Sequence, residues 1–232
     1  EQKQQDQFYI DMFVNSRGWS SPDPNPDEAA RWSKIAGFLE YLLRRVRQAD
    51  PDRHLRILDV GCGRGWLTNL ATAYGTCEGI EPVAGVIEHA RRLFPHLRFE
   101  AGTAQTVLSR PDFAPYDVVL CSEVIEHVPY GRKDAFVAEL ARLLKPDGYV
   151  ILTTPRGEIW EQWKTIAHPS QPVEDWVTEA QLRDIFTSQG FCELGLGRVH
   201  CELPSLRYIP APTPADFNKL ELVPVYQIWA CQ

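Results

Sequence analysis

The sequence predicts an α/β fold: a doubly wound, mostly parallel sheet with helices on both faces. Three observations carry that prediction. Short apolar strands alternate with helix-period segments from about residue 56 to residue 153. The first strand runs straight into a glycine-rich turn, Asp59-Val60-Gly61-Cys62-Gly63-Arg64-Gly65, that opens the next helix. Two late strands then follow with no helix signal between them, which suggests an antiparallel hairpin closing one side of the sheet. With 232 residues the chain is one domain. Its segments are an N-terminal helical cap (1–50), a core (54–155), and an insert with the C-terminal hairpin (156–232).

The elements follow in order. Glu1 to Gln7 is polar and expected to fray, and Phe8, Tyr9, Met12 and Phe13 recur at helical spacing. Pro22, Pro24 and Pro26 interrupt any helix between. Asn25 as cap, Pro26 at the first helical position and Glu28 at the capping-box position start a long helix. Ile35, Phe38, Leu39, Leu42, Leu43 and Val46 form its apolar face, and it stops before Asp50-Pro51. Strands are expected at 56–60, 76–80, 97–100, 117–121 and 149–153, with helices at 66–74, 83–94 and 133–144 between them. Lys145 to Gly148 reads as a turn. Thr178 and Gln181 form a capping box for a helix reaching Ser188, stopped by Gly190. Residues 191–201 and 223–230 are the late strands, joined by a Pro-rich loop.

Composition narrows the function classes. Hydrophobic residues make up 44% and charged residues 24%, values of a folded globular domain rather than a disordered chain. The apolar runs fall short of the ~18 residues of a membrane span, and no signal sequence opens the chain. A net charge of −7 gives no general pull on nucleic acid or anionic membranes. Six dispersed cysteines lack C-x-x-C spacing, so reduced thiols and a cytoplasmic setting are expected. The chain opens at Glu1 rather than a methionine, which leaves open a domain of a larger protein.

The glycine turn faces a ligand, because ligands in open parallel sheets bind beyond the carboxyl ends of the strands. A dinucleotide turn requires a third glycine where this chain has Trp66, whose indole blocks close approach of a pyrophosphate. Asp59 at the strand end favours a cationic or amine-bearing ligand over a pyrophosphate. Glu81 ends the second strand, 22 residues after Asp59, where a carboxylate accepts hydrogen bonds from both ribose hydroxyls.

These stretches, with Tyr116 to Glu123 and Leu143 to Gly148, resemble in order and spacing the successive motifs of class I S-adenosylmethionine-dependent methyltransferases. The resemblance covers about Arg56 to Pro155 and implies a Rossmann-like sheet of seven strands with the last antiparallel. It also implies S-adenosylmethionine as cofactor and S-adenosylhomocysteine as product. The implied cofactor residues are Asp59, Gly61, Cys62, Gly63, Gly65, Trp66, Glu81, Pro82, Thr103, Ala104, Ser122 and Glu123. Asp59 would lie near the amino end and Glu81 would hold the ribose. The family often places an Asp against the adenine after the third strand; this chain offers Thr103, Gln105 or the backbone of Ala104 there, with Ile80 and Val83 as apolar walls.

Transfer to a hydroxyl needs a base near the end of the fourth strand. Glu123, Glu126 and His127 stand there, and on a helical turn all three share one face. They are the candidate catalytic residues and, were a divalent metal present, its ligands. The E-x-x-E-H stretch resembles two branches of the family: the ubiquinone-pathway O-methyltransferases and the metal-dependent small-RNA 2′-O-methyltransferases. The second branch has a further His shortly before a W-T helix start, and this chain has none between Gln171 and Thr178. The metal is therefore not favoured. Tyr9, Trp19, Arg156, Trp160, Trp163 and His168 are the candidate substrate residues, in the cap and the insert. Together these signs favour O-methylation of a small hydroxylated metabolite or sugar. Metal-dependent RNA methylation and a non-catalytic cofactor-binding domain remain as alternatives.

Overall fold

Asn25 fixes where the long helix begins. Its side chain accepts the N–H of Glu28 while the Glu28 carboxylate accepts the N–H of Asn25, a reciprocal capping box with Pro26 at the first turn. A computed structural model of the chain describes residues 2–166, 171–203, 205–219 and 221–232. Before that helix lies α1 (Gln2–Ile10), which passes into a π-helical turn (Asp11–Asn15). The long helix is α2 (Pro26–Ala49). The helix thus begins at Gln2, not Phe8; Gln7 and Asn15 both donate to Asp11 Oδ1 and extend the hydrogen bonding of a polar segment expected to fray.

The core alternates strand and helix: β1 (Leu55–Val60), α3 (Trp66–Ala71), β2 (Gly75–Glu81), α4 (Ala84–Leu93), β3 (Arg98–Ala101), α5 (Ala104–Leu108), β4 (Tyr116–Ser122), α6 (Lys133–Leu143) and β5 (Leu144–Pro155). Then follow α7 (Trp160–Trp163), α8 (Glu179–Ser188), β6 (Glu193–Glu202), β7 (Arg207–Ile209), α9 (Pro214–Lys219) and β8 (Leu222–Cys231). The strands form one sheet in the order β3-β2-β1-β4-β5-β8-β6-β7. The first five are mutually parallel, and β8 runs antiparallel to both β5 and β6.

Two expectations are corrected and one element is added. The sheet has eight strands rather than seven, because Arg207–Ile209 pairs antiparallel with β6 inside the segment expected as a Pro-rich loop, which also holds α9. The Lys145–Gly148 turn is absorbed into β5. Leu144 pairs with Tyr116 and Tyr149 with Val118, so the intervening residues form a bulge, with Asp147 at φ +61°. Helix α5 was not anticipated; five residues are too few to show a helical period.

Period-two alternation sorts the central strands between two cores. Ile57, Val118, Leu120 and Ile151 pack with Leu39, Leu42 and Leu43 of α2 on one face. Leu58, Val119, Cys121 and Leu152 pack with Val137 and Leu140 of α6 and Leu182 of α8 on the other. Each fully buried Leu or Ile contributes about 1.5–3 kcal/mol relative to exposure. The strand order reverses between β1 and β4, so the crevice beyond their carboxyl ends is the topological switch point. Among the described residues, no helix is long and apolar enough to cross a membrane.

Candidate active site

A cavity of about 810 Å3 opens at that switch point, within the upper range of small-molecule sites (about 300–1,000 Å3). The glycine turn forms its floor. Gly61 and Cys62 donate their N–H groups to the Ile80 carbonyl at 2.8 and 3.0 Å, folding the turn back over β2. Gly61 has φ +71°, and a Cβ there would stand 2.4 Å from Val124 Cγ2. Gly65, at φ +87°, would press a Cβ to within 2.5 Å of the Phe99 ring. Both positions require glycine because a Cβ would strike these side chains; Gly61 lines the cavity, whereas Gly65, expected among the cofactor residues, does not. Arg64, between them, points away. It is fully buried, forms a bidentate pair with Glu28 at 2.6 and 2.7 Å, and donates to the carbonyls of Ser21 and Asp23. The turn is thereby bolted to the start of α2.

Asp59, Glu81, Glu123 and Glu126 are among the carboxylates that line this cavity. Asp59 is buried and accepts from Thr68 Oγ1 at 2.6 Å; burial pushes its pKa up to about 7 against that bond. Glu81 accepts from the Val83 N–H at 3.1 Å, and burial again raises it to about 7. Glu126, 2% exposed, accepts from Thr154 Oγ1 at 3.0 Å and is likewise raised to about 7 by burial. Glu123 accepts from Thr153 Oγ1 at 2.7 Å; burial raises it well above the carboxylate range, with Arg31 acting in the opposite direction.

The residues at the end of β4 do not form the helical face expected of them. Glu123 takes a left-handed conformation, φ +57°, and a 3₁₀ turn over Ile125–His127 follows. Glu123 therefore points to Thr153 and to Arg31 (3.8 Å), while His127 turns its Nδ1 to the Val173 carbonyl at 2.7 Å. Because a carbonyl only accepts, Nδ1 carries a proton, and in the neutral ring the acceptor nitrogen is Nε2, 3.8 Å from Glu126 Oε1. Among the described residues, no group of three or more His, Cys, Asp or Glu side chains is arranged to hold a metal ion.

The other expected site residues divide. Cys62, Gly63, Trp66, Pro82, Thr103, Ala104 and Ser122 line the cavity, as do Tyr9, Trp19 and Trp163. Arg156 and Trp160 stand outside its wall. Arg156 ties the insert to the sheet through Glu179 (2.7 Å) and the Pro224 carbonyl, and Trp160 packs on Trp176 with ring centroids 4.9 Å apart. His168 lies outside the described residues.

The sequence reading missed Arg31, Glu174, Tyr208 and Tyr226 on the cavity wall. Arg31 is almost fully buried, donates to Ser122 Oγ at 2.8 Å and pairs with Asp27 at 3.2 Å. Its guanidinium also lies over the Tyr226 ring at 5.3 Å. The i, i+4 spacing of Asp27 and Arg31 is the one local signal that marked it.

Comparison with known proteins bears on this site. A family profile described as a methyltransferase domain matches residues 30–193. Among curated relatives, a ubiquinone biosynthesis O-methyltransferase of Agrobacterium fabrum is 29% identical over 163 residues, 64% of this chain and 63% of the relative. One from Thiobacillus denitrificans is 37% identical over 120 residues, 48% of this chain and 49% of the relative. The chain thus spans about half, and under two-thirds, of the length of the relatives it matches. Among solved structures, the magnesium protoporphyrin IX methyltransferase of Synechocystis PCC 6803, with bound SAM, superposes with a TM-score of 0.61 at 17% identity. That match covers 97% of this chain and 96% of the other. A SAM-dependent methyltransferase from Archaeoglobus fulgidus gives 0.60 at 17% identity, over 83% and 93%. At such identities these structures speak for the fold.

Proposed function

The chain belongs to the methyltransferase-domain family, and from that membership we propose that it transfers a methyl group from S-adenosylmethionine to a hydroxyl of a small, uncharged acceptor. The single observation that carries the hydroxyl reading is His127, whose Nδ1 is held by the Val173 carbonyl while Nε2 stands beside Glu126 in the cavity wall.

The cavity suits the cofactor. Gly61, Cys62 and Gly63 bring the turn to the cavity wall. Glu81 offers carboxylate oxygens to vicinal hydroxyls, and Asp59 gives an ammonium group a buried anion. The bound cofactor supplies an electrophilic methyl group on a sulfonium. The chain's own residues supply position, dryness and a place for the proton. The aromatic residues Tyr9, Phe13 and Trp19 of the cap cover the glycine turn and exclude water. Nε2 of His127 takes the hydroxyl proton, and the Glu126 carboxylate steadies the resulting imidazolium.

Charge supports a neutral acceptor. Glu123, Glu126, Glu139 and Glu174 face the cavity around His127, against Arg31, which Asp27 already engages, and Arg132. A phosphorylated acceptor or an RNA strand meets repulsion there. Sugars and phenolic or catechol-type hydroxyls fit, and the relatives named as ubiquinone biosynthesis O-methyltransferases support the second class.

The test has two arms. Calorimetric titration with S-adenosylmethionine and S-adenosylhomocysteine measures cofactor binding, and absence of binding in folded protein sinks the proposal. Transfer of labelled methyl to a panel of neutral sugars and catechols measures the reaction. His127→Ala is expected to bind cofactor normally and lose about 10²–10⁴-fold in turnover; full turnover removes the base assignment.

A further inference from the structure

Lys133 is a fully buried lysine at the start of α6 that the chemistry above does not use. Its Nζ donates to three backbone carbonyls: Ile125 at 2.5 Å, Val128 at 2.6 Å and Asp175 at 2.9 Å. An ammonium has three donors and no acceptor, so three carbonyls use all of it. Among the described residues, no carboxylate lies within ion-pair distance of Nζ. Packing α6 against the sheet would be served by a leucine. What distinguishes the lysine is which carbonyls it joins. Ile125 and Val128 bracket the 3₁₀ turn that carries Glu126 and His127, and Asp175 belongs to the segment that supplies Val173, Glu174 and Trp176 to the cavity wall.

The same two segments meet at three further points. The Asp175 N–H donates to the Glu126 carbonyl at 2.8 Å, the Tyr130 N–H donates to Asp175 Oδ2 at 2.6 Å, and His127 Nδ1 meets the Val173 carbonyl at 2.7 Å. That last contact alone decides which ring nitrogen bears the proton. It holds only while the Val173 carbonyl stays in register with the turn, and Lys133 is the side chain that spans both segments from behind.

We propose that Lys133 is a positioning residue: by clamping the Ile125–Val128 turn to Asp175, it keeps the Val173 carbonyl on His127 Nδ1 and so fixes the imidazole as its Nδ1–H tautomer. The base and the acceptor-side wall are then one hydrogen-bonded unit. A segment shift at Val173 releases Nδ1 and lets the ring revert to the Nε2–H form that imidazole prefers in water, in which the nitrogen beside Glu126 no longer accepts a proton. The consequence for turnover rests on the proposed role of His127; the tautomer does not.

The test is long-range 1H–15N correlation of the imidazole nitrogens in 15N-labelled protein, with S-adenosylhomocysteine titrated in parallel. Wild type is expected to give the neutral Nδ1–H pattern for His127. Lys133→Met is expected to shift it to a mixture rich in Nε2–H while ligand affinity stays within about twofold, because the glycine turn and Glu81 share no partner with Lys133. Lys133→Arg keeps the charge but presents a planar fork that cannot aim three donors at converging carbonyls, and it gives an intermediate pattern if the methionine variant does not fold. A wild-type spectrum showing Nε2–H overturns the proposal, and so does an unchanged Nδ1–H pattern in whichever variant folds. Full turnover by His127→Ala would remove the base and leave the tautomer result standing, so the two failures are distinguishable.

Discussion

Glu28→Gln isolates one contact of the glycine turn. The amide oxygen of glutamine still accepts the Asn25 N–H and preserves the capping box, so helix α2 keeps its start. What changes is the face toward Arg64. Both Glu28 oxygens now accept guanidinium N–H groups, at 2.6 and 2.7 Å, with the two side chains 0% and 2% exposed. In the variant one of those oxygens becomes an NH2 that points its own hydrogens at Arg64. A guanidinium that has lost its counter-charge in the interior costs about 3–5 kcal/mol. The two remaining carbonyl partners, of Ser21 and Asp23, solvate it in part and place the expected loss toward the lower figure. In a chain of this size 1 kcal/mol moves the midpoint by about 2–4 °C, so a fall of about 6–12 °C is expected from ~3 kcal/mol. Urea unfolding followed by tryptophan fluorescence gives the free energy directly. Because Arg64 lies between Gly63 and Gly65, ligand affinity is expected to fall as well. A variant within about 1 kcal/mol of wild type would refute the reasoning, since it would mean that the buried guanidinium tolerates the loss of its partner.

Other outcomes follow from the same geometry. Asp59, Glu81 and Glu126 have pKa values raised to about 7 by burial, above their unfolded values, so the folded state binds more protons between about pH 4 and 7. Their contribution to stability is fully present below the unfolded pKa and is lost as pH rises through 7. Thermal scans of ligand-free protein are therefore expected to give a higher midpoint near pH 6 than at pH 8, and a flat or opposite trend contradicts the burial argument. Glu81→Gln is expected to weaken S-adenosylhomocysteine binding by about 10–100-fold in calorimetry, the loss of hydrogen bonds to a charged acceptor, while raising the midpoint at pH 8. Gly65→Ala forces a Cβ to 2.5 Å from the buried Phe99 ring at φ +87°, and a loss of about 1–3 kcal/mol in urea unfolding is expected; a neutral result would mean that Phe99 moves freely.

The strands and the helix starts were legible because their signals are local. Asn25-Pro26-Glu28 and Thr178-Gln181 encode caps within four residues, and both caps form. The apolar run at Asp117–Cys121 needs only its own composition to mark a strand buried on both faces. The glycine turn was legible for the same reason. Contacts between elements were not. Nothing within ten residues of Arg64 tells that its partner is Glu28, 36 residues away, nor that Arg31 reaches Ser122, 91 residues away. Glu123, Glu126 and His127 have helical spacing, but the positive φ at Glu123 breaks the face they would share. A glutamate does not advertise a left-handed conformation, so the spacing misled. The role of Lys133 was not legible either, because a lysine that spends its three donors on carbonyls of other segments leaves no trace in its neighbours.

The buried acids set a physical condition on any occupant of the cavity. Each receives few donors from the chain: Thr68 for Asp59, the Val83 and Gly63 backbone for Glu81, Thr154 and its own backbone for Glu126. An ionised carboxylate offers about four lone-pair sites. All three acids line the cavity, and burial is the leading cause of their raised pKa values. An occupant that brings N–H or O–H donors, or positive charge, restores the ionised form. On the proposed function those donors are the hydroxyls and ammonium of the cofactor at Asp59 and Glu81, and the acceptor hydroxyl beside Glu126 and His127. An anionic acceptor supplies neither donor nor charge, and each buried acid it approached would be driven further toward protonation. Under the proposed function, the acids that disfavour an anionic acceptor are the same ones expected to make the ligand-free protein less stable at alkaline pH, so the two properties should move together when any one of these acids is replaced by its amide.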